Sequence, residues 1–73
     1  MTEQQKQYVR EIEEEIRQQP GGKNFKIYMS IEIVRLVDTV NDNYRLYTPC
    51  KGDGKKVIRM KLITLFREMC GGN

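Results

Sequence analysis

The 73-residue chain contains no histidine and no tryptophan, and only two cysteines, Cys50 and Cys70. Acyl transfer and related chemistry need a nucleophile with a positioned base, which is usually histidine. A structural zinc site needs four nitrogen or sulfur ligands in close pairs, and two distant cysteines do not supply them. The composition therefore argues against an enzyme and indicates no metal or other cofactor.

The sequence also lacks a long apolar run. No stretch approaches the ~20 apolar residues of a transmembrane helix, and the first twenty residues have no apolar centre of the kind a signal peptide needs. Two cysteines in such a chain are typical of reduced thiols, although spacing alone does not decide whether Cys50 and Cys70 pair. We therefore expect a cytoplasmic protein that does not enter a membrane.

The length allows one small domain, whose single core leaves little stability to spare. Chains of this size usually gain stability from disulfides, a metal or a partner chain. Because the first two are not indicated, we expect self-association as a homodimer.

Charge is unevenly distributed, although the net charge is only +3. Residues 1–20 carry three basic and five acidic side chains, whereas residues 21–73 carry ten basic and five acidic ones. We therefore divide the chain into an acidic N-terminal helix, residues 1–20, and a basic domain, residues 21–73. The basic part is the candidate for binding a polyanion.

The first predicted element is a helix over residues 2–18, with Thr2 as its N-cap. Pro20 and the two glycines after it end the helix. Its apolar side chains form a narrow stripe: Tyr8, Val9, Ile12 and Ile16. Such a stripe is typical of a solvated helix at the edge of a domain, or of an arm that docks on a partner protein.

A strand and then a helix are predicted in the middle of the chain. Over residues 23–30 apolar Phe25, Ile27 and Met29 alternate with polar side chains, as in a strand with one buried face. From Ser30, a suitable N-cap, the spacing becomes helical over residues 31–42. The apolar side chains at that spacing are Ile33, Leu36, Val37 and Val40.

A β-hairpin is the alternative for the same region. Isoleucine, valine and threonine are abundant over residues 31–40, and the sequence Asn-Asp-Asn at 41–43 favours a turn. In this alternative residues 25–47 form one hairpin, and the fold is helix, hairpin, helix.

The C-terminal part is predicted to be a loop, residues 48–54, and a helix, residues 55–70, closed by glycines. The apolar side chains of this helix follow one face: Ile58, Leu62, Leu65, Phe66 and Met69. The predicted fold is thus a small, mostly helical α+β domain with an N-terminal helix, one short strand and two further helices.

Glycine and lysine cluster at the start of the last helix. The segment KGDGKK, residues 51–56, lacks the spacing of a nucleotide-hydrolysing phosphate loop. Unpaired amide groups and the helix dipole still favour a phosphate there, unless the loop is merely solvated. The predicted phosphate-binding residues are Lys51, Gly54, Lys55 and Lys56.

The outward face of the predicted strand carries Asn24, Lys26 and Tyr28. A two-stranded ribbon, one strand from each chain of a dimer, fits the major groove of DNA. We therefore predict that these three side chains read base edges; the alternative is an edge strand with a solvated face.

The order strand, helix, helix, with that outward strand face, resembles the ribbon-helix-helix family of Arc- and MetJ-like repressors. The resemblance lies in the apolar spacing over residues 23–69. It implies an intertwined homodimer that binds double-stranded DNA through paired strands, with Asn24, Lys26 and Tyr28 at the base-reading positions and Gly54, Lys55 and Lys56 on a phosphate. The chain departs from the family at residues 43–54, where the family has a short turn.

The predicted function is that of a DNA-binding transcriptional regulator, a repressor acting as a dimer. The alternative is a small protein-binding adaptor or inhibitor that uses the N-terminal helix or a sheet edge.

Overall fold

The computed structural model describes residues 1–71 and contains two helices and three strands. Along the chain these are α1 (Glu3–Arg17), β1 (Phe25–Met29), β2 (Val34–Asp38), β3 (Asn43–Tyr47) and α2 (Lys55–Met69). The strands form one antiparallel sheet in the order β1-β2-β3. Helix α1 packs against β1 and α2, and α2 packs against β2 and β3, so both helices cover the same face of the sheet.

Helix α1 begins as the sequence predicts. The Thr2 hydroxyl accepts a hydrogen bond from the backbone N–H of Gln5, and the Gln5 side chain accepts one from the backbone N–H of Thr2, which is a capping box. Its apolar stripe is not at a solvated edge, because Val9, Ile12 and Ile16 are at most 1 % exposed. The helix is therefore part of the core.

The chain turns sharply between α1 and the sheet at Gly22. A Cβ atom at this position would lie 1.7 Å from the carbonyl oxygen of Ile16, so only glycine fits. The N–H of Gly22 donates to the carbonyl of Gln19, and its own carbonyl accepts from Phe25 at the start of β1. This close approach fixes where the strand begins relative to the helix.

The helix predicted over residues 31–42 is wrong. Residues 34–38 form the central strand, the predicted N-cap Ser30 closes a β-turn-like loop with Ile33, and residues 39–42 form a second turn. The fold is helix, three-stranded sheet, helix, and not a single strand with two further helices. The ribbon-helix-helix arrangement, in which the strand pairs only with a second chain, is therefore corrected too.

The physical reason is that the apolar residues of a short strand and its two turns can fall at helical spacing by chance. Of the four apolar residues at helical spacing, only Leu36 is buried; Ile33 and Val40 are 42 % and 66 % exposed. Tertiary pairing with strands on both sides, together with the β-branched composition, decides the structure. The hairpin alternative is closer to the observed structure, because its turn at residues 41–43 lies where the chain reverses between β2 and β3. Residues 25–47 nevertheless form two hairpins instead of one.

The core lies between the helices and the inner side of the sheet. Phe25 of β1 meets Phe66 of α2 edge to face, with ring centroids 4.9 Å apart. The predicted last helix is confirmed, and Ile58 and Leu62 are fully buried. No helix in the described part of the chain is long and apolar enough to cross a membrane.

Candidate functional site

The side of the sheet away from the helices is exposed, and we call it the outer face. The strand register arranges its side chains in two rows across β1, β2 and β3. The rows are Lys26, Val37, Tyr44 and Tyr28, Arg35, Leu46. Tyr28 is 53 % exposed, and Tyr44 and Leu46 are each 55 % exposed, so three of the six are apolar or aromatic side chains with more than half of their surface in solvent.

The turns at the two ends of β2 hold these rows in place. At one end, the N–H of Ser30 donates to the carbonyl of Ile33 over 2.9 Å. At the other end, Asp38 accepts hydrogen bonds from the backbone N–H groups of Val40 and Asn41 and from the side chain of Asn41. Asp42 completes this turn in the left-handed conformation, with φ of 54°.

Asp38 is a buried carboxylate and remains charged because of the turn. The hydrogen bond from the Asn41 side chain is the main cause that lowers its pKa, supported by the two backbone N–H groups and opposed by desolvation. The hydrogen bonds of Asp38 are therefore all within the β2–β3 turn, and its side chain lies on the inner side of the sheet.

Two of the six outward strand side chains are cations, Lys26 and Arg35, and none of the six is acidic. Lys26 and Arg35 make no ion pair or side-chain hydrogen bond with any of residues 1–71. The guanidinium of Arg35 lies over the ring of Tyr44, with its central carbon 5.6 Å from the ring centroid. Arg35 is also the direct cross-strand partner of Tyr28, so it stands between the two tyrosines.

A small cavity opens at one end of the outer face, where the β1–β2 hairpin turns. Its volume is about 220 Å³. It is lined by Tyr28, Met29, Ser30, Ile33 and Arg35. Tyr28 and Arg35 of the outer face thus both line one concave part of its surface.

The predicted base-reading residues belong to this face. Lys26 and Tyr28 lie in β1 with their side chains exposed, and Asn24 is exposed just before the strand. The backbone carbonyl of Asn24 accepts hydrogen bonds from the N–H and the hydroxyl of Thr39, which anchors the start of the hairpin. Lys26 and Tyr28 thus share the outer face, with Asn24 just before them, in a sheet formed by one chain.

The predicted phosphate-binding residues lie elsewhere, at the start of α2 in the helical layer. The Nζ atom of Lys55 is 2.8 Å from Glu11 of α1, and hydrogen bonding to Lys55 lowers the pKa of Glu11. One turn later Arg59 pairs with Glu15 and lowers the pKa of that carboxylate. Gly54 is the N-cap and supplies no side-chain hydrogen bond, while Lys51 and Lys56 are exposed. Part of this cluster thus serves to join the two helices.

The loop before α2 is held by structural hydrogen bonds. The buried amide of Gln5 donates to the carbonyls of Cys50 and Asp53, and the Tyr47 hydroxyl donates to the Asp53 carboxylate. Burial of the phenol, and to a smaller extent its hydrogen bond to Asp53, raises the pKa of Tyr47 to about 12. The phenol therefore stays protonated. Cys50 is an exposed free thiol, as is Cys70.

A larger cavity of about 480 Å³ lies beside the N-terminus. Met1, Glu32 and Lys51 are among its lining residues. The Met1 amino group donates to the carbonyl of Ile31 over 2.8 Å, and Gln5 at the base of the cavity is saturated with protein partners. Its charged lining residues are thus of opposite sign, and the Gln5 amide is already used to hold the loop.

Two residues of the outer face were missed by the reasoning from sequence, Arg35 and Tyr44. The sequence places Arg35 in the helix predicted over residues 31–42 and gives Tyr44 no role in a site. The alternation of Val34, Leu36 and Asp38 with exposed residues is the signal that could have found Arg35. Comparison of the chain with protein-family models, with curated proteins and with solved structures finds no match.

Proposed function

We propose that the protein binds single-stranded nucleic acid on the outer face of its sheet. One observation carries the proposal: two exposed tyrosines, Tyr28 and Tyr44, flank Arg35, which has no acidic partner among residues 1–71, and none of the outward strand positions is acidic. In this proposal Lys26 and Tyr28 still contact nucleic acid, but from the sheet of one chain and not from a two-stranded ribbon formed by a dimer.

The tyrosines supply stacking surface. Exposed aromatic rings on a sheet are platforms for unstacked bases, since every base offers a π-face to a planar ring. Tyr28 and Tyr44 lie on the two edge strands and one row apart, which places them roughly 12 Å from each other by strand spacing and rise. This separation suits two bases of one strand that are not stacked directly on each other.

The cations supply attraction to phosphate. Lys26 and Arg35 lie in the two adjacent rows of the outer face. Neither charge is neutralised by a carboxylate of residues 1–71. Two phosphate contacts on a single strand correspond to a slope of log affinity against log salt of roughly −1.4. We therefore expect modest affinity with modest dependence on salt.

The shape of the face favours a single strand over a duplex. The major groove admits a helix or a two-stranded ribbon. The axes of β1 and β3 are about 10 Å apart before any side chain is added, so the face of three strands has little clearance in a groove about 12 Å wide. Bases of a single strand can instead lie down on the surface.

A protein partner is the second candidate, because the outer face is also partly apolar. Leu46 is 55 % exposed and Ile33, at the neighbouring loop, is 42 % exposed. An adaptor using this surface would depend on Leu46 and not on the cations. The N-terminal helix is less suited to such a role, since its apolar stripe is in the core.

Fluorescence anisotropy tests the proposal. A labelled single strand of about ten nucleotides of mixed sequence, as DNA and as RNA, is titrated beside the matching duplex at about 50 and about 200 mM salt. We expect the strand to bind more tightly than the duplex and to weaken roughly sevenfold at the higher salt. Tyr28→Ala and Tyr44→Ala should each weaken binding between about fivefold and about a hundredfold.

Matched controls separate stacking from general damage. Tyr28→Phe keeps the ring and should bind nearly as well as the natural protein. Met60→Ala removes an exposed side chain from the helical layer and should change nothing. Equal binding to strand and duplex, or tyrosine variants that bind like Met60→Ala, would overturn the proposal; failure of every oligonucleotide to bind would leave the adaptor function.

A further inference from the structure

We propose that the small cavity beside Tyr28 receives a guanine base. The inference rests on the proposed function, because it names the base that a bound strand would place at one position of the outer face. It goes beyond that function, since stacking alone does not select a base.

The cavity has the shape of a one-base site. Tyr28 forms one wall, the β1–β2 loop with Ser30 and Ile33 closes one end, and Arg35 lines the side next to β2. Tyr28 and Arg35 are direct cross-strand partners, so their Cβ atoms are about 5 Å apart. From this position the Arg35 side chain is long enough to bring its guanidinium from Tyr44 to the edge of a ring stacked on Tyr28.

Arginine decides which base edge fits. A guanidinium has five N–H donors and no acceptor, so its best planar partner offers two adjacent acceptors. Within residues 1–71, Arg35 donates no hydrogen bond, and the central carbon of its guanidinium lies over the ring of Tyr44. The donors at the edge of the group are thus available to a ligand.

Guanine presents the matching pair of acceptors, O6 and N7. Adenine presents an acceptor beside an amino donor, which would face the guanidinium with the wrong polarity. Cytosine also has two adjacent acceptors on the edge that is free in a single strand, but its single ring covers less of Tyr28. Larger stacking area together with bidentate donation favours guanine.

Substitution of one base tests this inference. The probe is a labelled oligothymidylate of about ten nucleotides with one central position replaced by guanine, adenine, cytosine or 7-deazaguanine, which lacks the N7 acceptor. We expect the guanine strand to bind about five- to a hundredfold more tightly than the thymidine parent. The 7-deazaguanine strand should lose most of that gain.

Two conservative variants locate the preference. Arg35→Lys keeps the charge but not the fork of donors, so it should still bind oligothymidylate and should lose the preference for guanine. Arg45→Lys is the control, because Arg45 lies in β3 on the opposite side of the sheet and bonds to Asn43. It should leave the preference unchanged.

The outcomes distinguish this inference from the proposed function. If all five strands bind equally, or cytosine is preferred, the guanine site is wrong while single-strand binding stands. If Arg35→Lys keeps the preference, Arg35 is not the group that reads the base and the inference fails. If oligothymidylate and the guanine strand both fail to bind, the proposed function fails with it.

Discussion

The two faces of the sheet are made by alternating residues of the same strands, yet their environments are opposite. On the inner face Val34 and Leu36 are completely buried, and Phe25 is 2 % exposed. On the outer face Arg35 lies between them in sequence and is in solvent. The inner face supplies the core of the fold, whereas the two tyrosines and two cations outside are not needed to fill it. Side chains that the core does not require are the ones available for binding.

The largest expected effect comes from changing the same residue type on each face. Leu36 is fully buried and Leu46, in the neighbouring strand, is on the outer face. Leu36→Ala should lower the free energy of unfolding by about 2 to 5 kcal/mol, because it removes buried apolar contact and leaves a cavity. Leu46→Ala should lower it by less than about 1 kcal/mol. Urea denaturation followed by circular dichroism measures both.

Comparable losses for the two leucines would contradict the one-sided sheet. Such a result would mean that the outer face is also covered in solution, most simply by a second copy of the chain. The midpoint of unfolding of the natural protein would then rise with protein concentration, which separates this explanation from a local effect of Leu46.

A smaller loss of stability than for Leu36→Ala is expected when Asp38, the acidic residue of the inner face, is replaced. Asp38 holds the β2–β3 turn through hydrogen bonds, and its pKa lies below the ordinary value. A lowered pKa means that this contribution to stability is complete above the ordinary value of about 3.9 and is lost as the pH falls through the lower value in the folded state. Asp38→Asn should cost about 1 to 2 kcal/mol at pH 7, because the amide cannot accept all three hydrogen bonds.

The pH dependence is the sharper part of that prediction. Denaturation of both proteins from pH 7 to pH 2 should show the difference between them shrinking below about pH 4, as Asp38 becomes protonated. A constant difference over this range would mean that the charge of Asp38 does not stabilise the turn. In that case only the shape of the side chain would matter.

Both helices of the fold can be predicted from local sequence, and the wrong prediction of a helix in place of β2 has a specific cause. The helices could be predicted because each has several turns of periodic apolar residues, from Val9 to Ile16 and from Ile58 to Met69. Strand β2 could not, because its five residues contain only two apolar side chains that are buried, Val34 and Leu36. Its stability comes from pairing with β1 and β3, which is a property of distant residues.

The candidate site shows the same limit. Lys26 and Tyr28 were found, because alternation within one strand identifies which side chains share a face. Their neighbours Arg35 and Tyr44 depend on the register between strands, and register is set by turns and by the buried face and not by either strand alone. A local pattern could therefore give one edge of the surface but not its centre.

The smallest expected effect separates the cations of the outer face from those of α2. Lys26 has no acidic partner among residues 1–71, whereas the Nζ atom of Lys55 is 2.8 Å from Glu11. Lys26→Gln should make the slope of log affinity against log salt shallower by about 0.7 for an oligothymidylate, because one phosphate contact is lost. Lys55→Gln removes the same charge and should leave the slope unchanged, since that lysine already neutralises a carboxylate. If the slope became shallower only in Lys55→Gln, the bound oligonucleotide would lie along the start of α2. The phosphate site predicted from the sequence would then replace the outer face as the place where the nucleic-acid backbone binds.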